Sequence, residues 1–144
     1  MRIQEISSTI LRQMPGVNKW RHDFLCHVFH LVFAVRGRIN LKNLSRYSDF
    51  NETTFHRHFS MSFDFAQFNS DCIYQLRHQE RHWMAAADCS FITKSGKCTY
   101  GLDKFWSSVA NSEKTGLEIS AVSLIDIHSG EAYMLDVEQT PAGL

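Results

Sequence analysis

One carboxylate stands inside an otherwise apolar and small-residue segment of this sequence. The segment from Trp83 to Ile92 reads WMAAADCSFI, with Asp88 near its middle. Its length and composition are typical of a strand, and we expect such a strand to be buried. A buried carboxylate is costly unless it is neutralised, paired with a cation or bound to a metal ion. Asp88 is therefore the first candidate metal ligand.

A basic turn follows this strand, with the residues Lys94, Ser95, Gly96 and Lys97. Gly96 suits a plain β-turn. The order GxxxxGK[ST] of a nucleotide-binding phosphate loop is absent. A second interpretation is an ion pair between Asp88 and one of the two lysines.

A second candidate site lies in the segment NLKNLSRYSDFNETTFHRHFS. Asn40 and Asn51 can each cap a short helix, and a brief turn separates the two helices. This spacing fits a helix-turn-helix, whose second helix enters the major groove of DNA. The residues predicted to face the groove are Thr53, Thr54, His56 and Arg57, and those predicted to hold phosphates are Lys42 and Arg46. Two surface helices of an ordinary helical bundle would give the same pattern.

Two histidine pairs have spacings that could serve a metal ion. His27 and His30 are three residues apart, and His78 and His82 are four apart. Neither pair matches the HExxH motif or has an evident third ligand, so we expect these side chains to lie on polar faces or to stack on partners.

Charge and cysteine usage indicate how the chain is organised. Residues 1–82 hold eleven Lys and Arg against seven Asp and Glu, whereas residues 83–144 hold four against eight. A basic first part and an acidic second part suggest a nucleic-acid-binding domain followed by a carboxylate-bearing one. The four cysteines form no CxxC pair, and neither a targeting nor a membrane-spanning segment is apparent. These features predict a cytoplasmic protein that does not enter membranes.

The hydrophobic pattern predicts helices before residue 83 and strands after it. Helices are expected from Ile3 to Met14, from Lys19 to Arg36, after Asn40, after Asn51, and from Ser70 to His82. Strands are expected over residues 83–92, 117–127 and 132–138, with the last two forming a hairpin. The fold class is therefore predicted to be α+β, with a helical domain over 1–82 and a sheet domain over 83–144.

The sequence from Asp88 to Pro141 resembles the start of the catalytic domain of bacterial insertion-sequence transposases of the DDE class. The matching features are a strand with an Asp, a lysine-glycine turn, the segment Tyr100-Gly101-Leu102-Asp103, and the strand that begins GLEIS. The segment GRINLKNLSRYSDFNETTFHRHF resembles the DNA-binding helices that precede this domain in the family. The similarity covers about residues 35–144 and is specific over residues 87–141.

The resemblance implies a ribonuclease-H-like domain in which Asp88 is the first of three catalytic acids. Such a site holds two divalent cations, Mg²⁺ or Mn²⁺, that activate the attacking oxygen and stabilise the leaving one. The resemblance also implies that Lys94 and Lys97 contact the DNA backbone beside Asp88. By the family's order the other two acids follow the third strand, and no residue here matches them; Asp126 and Asp136 fall within the hairpin. The catalytic domain is thus expected to be incomplete, and this 144-residue chain to be inactive alone.

The sequence therefore predicts a transposase, or a truncated portion of one, that binds the DNA ends of its element. The prediction includes a homo-oligomer as a possible assembly. The alternative is a DNA-binding regulator, or a decayed transposase remnant, without catalytic activity. An interaction domain that binds no nucleic acid is a third possibility.

Overall fold

The computed structural model describes residues 3–75, 82–94, 96 and 98–141. These residues form two compact units, one that ends at Gln75 and one that follows the undescribed residues 76–81. The first unit is helical and the second is a β-sheet, which confirms the α+β class. The predicted boundary between residues 82 and 83 stays a prediction, because residues 76–81 and much of the predicted helix from Ser70 to His82 lie outside the described residues.

Five helices make up the first unit, and capping side chains define most of their starts. The helices are α1 (Ile3–Gln13), α2 (Lys19–Ala34), α3 (Leu41–Arg46), α4 (Glu52–Phe59) and α5 (Phe65–Gln75). Asn40 caps α3 and Asn51 caps α4 with their side-chain oxygens, as the sequence predicts. The predicted start of the last helix at Ser70 is wrong: Asp64 caps it, since its Oδ1 accepts a hydrogen bond from the Gln67 amide at 2.9 Å.

The helical unit has one hydrophobic core to which all five helices contribute. Its most deeply buried side chains are Ile10, Leu11, Phe24, Leu44 and Phe55. The sequence predicts α2 to Arg36, but the helix ends two residues earlier, and Gly37 follows in a left-handed conformation (φ +89°). No helix in the described part of the chain is both long and apolar enough to cross a membrane.

The second unit is an antiparallel sheet built around one long strand. Its strands are β1 (Trp83–Thr93), β2 (Asp103–Ser107), β3 (Ser112–Asp126) and β4 (Ala132–Gln139). β1 pairs with one side of β3, and Gly116 of β3 pairs with both β1 and β2. β2 and β4 therefore lie end to end along the other side of β3. The predicted hairpin between the last two strands is confirmed.

The sheet differs from the prediction in strand number, strand length and burial. The sequence predicts three strands, whereas the structure has a fourth, β2, and β3 begins five residues earlier than expected. β1 is expected to be buried, yet along it only Trp83 and Phe91 are partly buried. The composition of the strand therefore did not predict its burial, because composition does not show whether another layer packs on a strand.

The pairing register places alternate residues on one face of the sheet. The face that contains Asp88, here called the Asp88 face, also carries Met84 and Ile92 of β1, Ala121 of β3 and Val137 of β4. Met84 is 53% exposed on this face, and Ile92 and Val137 are also exposed. The Asp88 face is thus an open surface on which these apolar side chains alternate with polar ones, among them Ser90 of β1, Ser123 of β3 and Gln139 of β4.

Candidate functional site

Helix α4 presents a polar stripe to solvent. Thr53, His56 and Arg57 are exposed, and they recur at the spacing of a helix face. Phe55 and His58 lie on the opposite side and are buried. The helix therefore holds these three predicted DNA-contacting side chains on one accessible surface.

Thr54 has a different environment from the other three candidates. Its side chain is partly buried, and its hydroxyl donates to Asn51 Oδ1 at 3.0 Å. The same oxygen accepts the Thr54 backbone amide at 2.8 Å. Thr54 thus reinforces the N-cap of α4, and its hydroxyl proton is engaged within the helix start.

The segment between α3 and α4 is fixed to α2 by a side-chain contact. Ser48 lies in this connection, and its hydroxyl is 2.8 Å from His27 Nε2. The same hydroxyl accepts the Phe50 amide at 3.0 Å. His27 therefore fixes the connection between α3 and α4 to α2.

Both phosphate-contacting candidates of α3 are exposed. Lys42 lies in the first turn of α3 and Arg46 in its last turn. Leu44, between them, is buried in the core with Phe55 of α4. The packing of Leu44 in the core therefore leaves both cations of α3 accessible to solvent.

Three aromatic side chains from α2 and α4 stack in layers beneath Arg57. The Arg57 guanidinium carbon lies 4.6 Å from the centroid of the Trp20 ring. The Trp20 ring is 4.0 Å from the His58 ring, which stacks on Phe24 at 3.7 Å with an interplanar angle of 7°. This stack joins the exposed stripe of α4 to the core.

The imidazole of His58 is buried without polar partners. Its side chain is 4% exposed, and neither ring nitrogen has a hydrogen-bond partner among the described residues. Burial lowers the pKa of His58, and the positive charges of Arg57 and Arg21 lower it further. His58 is therefore neutral in the fold and acts as an apolar ring in the stack.

Asp88 lies in the middle of β1, on the open face of the sheet. It is exposed, which contradicts the expected burial and removes the desolvation cost that argued for a bound metal. Its Oδ1 accepts a hydrogen bond from the Cys89 amide at 2.9 Å. Its neighbours on the same face are small: Ala86 and Ser90 on β1, and Ala121 on β3.

The structure describes only one of the two lysines in the turn after β1. Lys94 is exposed and follows the end of β1, whereas Lys97 lies outside the described residues. Six residues of nearly extended chain span about 20 Å, so Lys94 cannot pair with Asp88. The alternative interpretation of Asp88 as an ion-pair partner of Lys94 is therefore wrong.

The lining of a groove beside β1 includes a positively charged side chain, Lys114, which was not predicted from the sequence as a site residue. The groove has a volume of about 630 Å³, and its lining residues include Asp88, Ser90, Ser107 and Lys114. Ser107 is the last residue of β2, and Lys114 lies near the start of β3. The sequence predicted neither β2 nor the part of β3 before residue 117. If the predicted strand had begun a few residues earlier, it would have included Lys114, which lies two residues before GLEIS.

The described residues do not fit a two-metal site. They contain no group of three or more His, Cys, Asp and Glu side chains that could hold a metal ion. The register places Asp126 and Asp136 on the face opposite Asp88. Asp126 is 1% exposed, and its Oδ1 accepts the amides of His128 and Ser129 in the β3–β4 turn.

Two other aspartates of the sheet make the same kind of backbone contact as Asp88. Asp103 of β2 accepts the Lys104 amide, and Asp136 of β4 accepts the Val137 amide. Each strand that flanks β3 thus has one Asp that bonds the next backbone amide. Charged residues on such flanking strands discourage pairing with further strands, which gives Asp88 a structural role independent of metal.

Comparison with known proteins adds no family assignment: no family model, curated protein or solved structure matches this chain.

Proposed function

We propose that this chain is a DNA-binding protein of the DDE insertion-sequence transposase class, and that its helical unit binds duplex DNA at element ends. The observation that carries the proposal is the exposed stripe of Thr53, His56 and Arg57 on a helix whose other side is held in the core. A short capped helix of this kind can insert its first turns into a major groove. Such a protein would act in the cytoplasm, where bacterial DNA is accessible.

The side chains of α3 and α4 would have different tasks in the complex. Arg57 can donate two hydrogen bonds to O6 and N7 of guanine, so it would read sequence. Arg46 and Lys42 would neutralise phosphates, which adds affinity without sequence information. Thr53 and His56 lie on the same exposed surface as Arg57 and would contact neighbouring base edges.

The sheet supports the transposase class through its strand order. β1 carries Asp88 and pairs with β3, which forms a hairpin with β4. This agrees with the arrangement that the family resemblance implies for its first three strands, while β2 is an addition to it. In a complete site, bound Mg²⁺ or Mn²⁺ would supply electrostatic activation of the attacking oxygen. Asp88 would be one ligand of such a site, and the described residues offer no set that completes it.

A second candidate function is DNA binding without strand transfer. The bond between Asp88 and the Cys89 amide favours it, since the same contact recurs at Asp103 and Asp136, which the family resemblance does not assign to catalysis. Such a protein would occupy element ends and thereby regulate transposition. Both candidates use α4 in the same way.

Self-association is part of the proposal as well. The Asp88 face exposes Met84, Ile92 and Val137, and a sheet face of this composition is normally covered. We expect sedimentation velocity to show association that increases with protein concentration. A monomer at every concentration would contradict this part.

A competition titration tests the DNA-binding function. A preferred duplex is first selected from a randomised pool, and the chain is then titrated with it and with random duplex at several salt concentrations. Arg57→Ala should reduce the difference in binding free energy between the selected and the random duplex by about 1–3 kcal/mol. Arg46→Ala should weaken binding to both duplexes and reduce the salt slope by about one.

Arg12→Ala is the matched control, because Arg12 is an exposed cation in the last turn of α1. It should leave both the preference and the salt slope nearly unchanged. If Arg57→Ala and Arg46→Ala bind like the parent chain, α3 and α4 do not form the DNA-binding surface.

A further inference from the structure

Trp20 contacts the proposed reading residue, although it lies on a different helix. It belongs to the first turn of α2, and its ring is covered by the Arg57 guanidinium at 4.6 Å. The indole is 48% exposed and also contacts the buried His58 ring. Trp20 therefore links the surface cation of α4 to a fixed aromatic layer.

This contact restricts Arg57 without consuming its donors. A guanidinium that stacks on an aromatic ring uses its flat face, so the N–H groups along its edge stay available. A free arginine side chain loses considerable conformational entropy when it binds in one geometry. A side chain already held in place loses less, which favours binding that depends on orientation.

We propose that Trp20 is a positioning residue that holds the Arg57 guanidinium in the orientation needed to read a base in the DNA major groove. This inference rests on the proposed DNA-binding function, and it assigns a role to a residue outside the helix-turn-helix segment. Trp20 therefore contributes to the discrimination between DNA sequences. Because its side chain is uncharged, it does not contribute to phosphate binding.

The DNA test compares Trp20→Leu with Trp20→Phe in the full chain, using the selected and random duplexes. Trp20→Leu should reduce the preference for the selected duplex about two- to fivefold, the effect of losing one exposed cation–π contact. Binding to random duplex and its salt slope should not change, because Arg57 keeps its charge. Trp20→Phe retains an aromatic face and should restore most of the preference.

A double substitution separates positioning from general destabilisation. If Trp20 acts through Arg57, then Trp20→Leu combined with Arg57→Ala should show the same preference as Arg57→Ala alone. A loss of folding would instead weaken binding to both duplexes, and Trp20→Phe provides a milder change to the same contact. Additive losses of preference in the double variant would overturn the positioning role.

A second measurement requires no DNA. The side-chain protons of Arg57 should be shifted upfield in the NMR spectrum by the Trp20 ring, and the shift should disappear in Trp20→Leu. Absence of the shift in the parent chain would overturn the inference directly. If the shift is present but the parent binds no duplex, the proposed function fails, and the reading role of Trp20 fails with it.

If the parent prefers the selected duplex, Arg57→Ala removes that preference and Trp20→Leu does not, the DNA-binding proposal stands and the positioning role of Trp20 is refuted.

Discussion

Replacement of His58 by phenylalanine should stabilise the helical unit. The imidazole lies between Trp20 and Phe24, with both ring nitrogens buried and without partners among the described residues. Each unsatisfied buried polar group costs about 1–3 kcal/mol. Phenylalanine keeps a flat ring in the stack and removes both groups, but its larger ring opposes the gain by about 1–3 kcal/mol.

The midpoints of the gain and of the opposing cost, about 4 and about 2 kcal/mol, leave a net stabilisation of about 2 kcal/mol. For a unit of this size this corresponds to an increase in Tm of about 8–16 °C. Thermal unfolding followed by far-UV circular dichroism would measure it. His56→Phe is the matched control, because His56 is exposed on the same helix and its replacement should change stability by less than about 0.5 kcal/mol.

The same substitution should change the pH dependence of stability. The pKa of His58 is lowered in the folded chain, and its unfolded value is about 6.5. The unfolded state therefore binds the proton first as pH falls. This contribution to stability is complete above about pH 6.5 and is lost at up to about 1.4 kcal/mol per pH unit as pH falls towards the folded pKa.

His58→Phe should accordingly lose less stability on mild acidification than the parent, whereas His56→Phe should follow the parent. If His58→Phe lowers Tm and keeps the parent's pH dependence, the assignment of a neutral, unsatisfied His58 ring is refuted.

Three further predictions concern the sheet unit and its chemistry. Asp126→Ala removes the acceptor for the amides of His128 and Ser129 and should destabilise the sheet by about 1–3 kcal/mol in denaturant titrations, while the exposed Glu138→Ala should have little effect. Amide hydrogen exchange should be slower in the core of the helical unit than in the sheet, because the sheet is open; uniform protection of both units in a monomer would count against this. The isolated chain should neither cleave nor join DNA strands with Mg²⁺ or Mn²⁺, and metal-dependent nicking that Asp88→Asn abolishes would show that a complete site exists.

Local features of the fold could be predicted from the sequence because their causes are local. The Asn40 and Asn51 caps depend on a side chain and an amide three residues later, so residue type and spacing are sufficient. The β3–β4 hairpin follows from alternating strands on either side of a turn with Gly130, whose φ is +73°. The exposed stripe of α4 follows from helical periodicity.

Features that depend on tertiary contacts could not be predicted. β2 is a short strand, and its pairing with the start of β3 is fixed only in the assembled sheet. The composition of β1 predicts burial, yet burial depends on whether another layer covers the strand. The stack of Arg57 on Trp20 joins residues 37 positions apart, which no local pattern signals.

The most direct test of the central claim is an NMR titration of the isotope-labelled chain with the selected duplex at low salt. We predict amide and side-chain shifts concentrated at Arg46, Thr53, His56 and Arg57, with α1 and α5 nearly unaffected, and a loss of these shifts as salt increases. Shifts confined to other parts of the chain, or none at a duplex concentration well above that of the protein, would contradict DNA binding through α4.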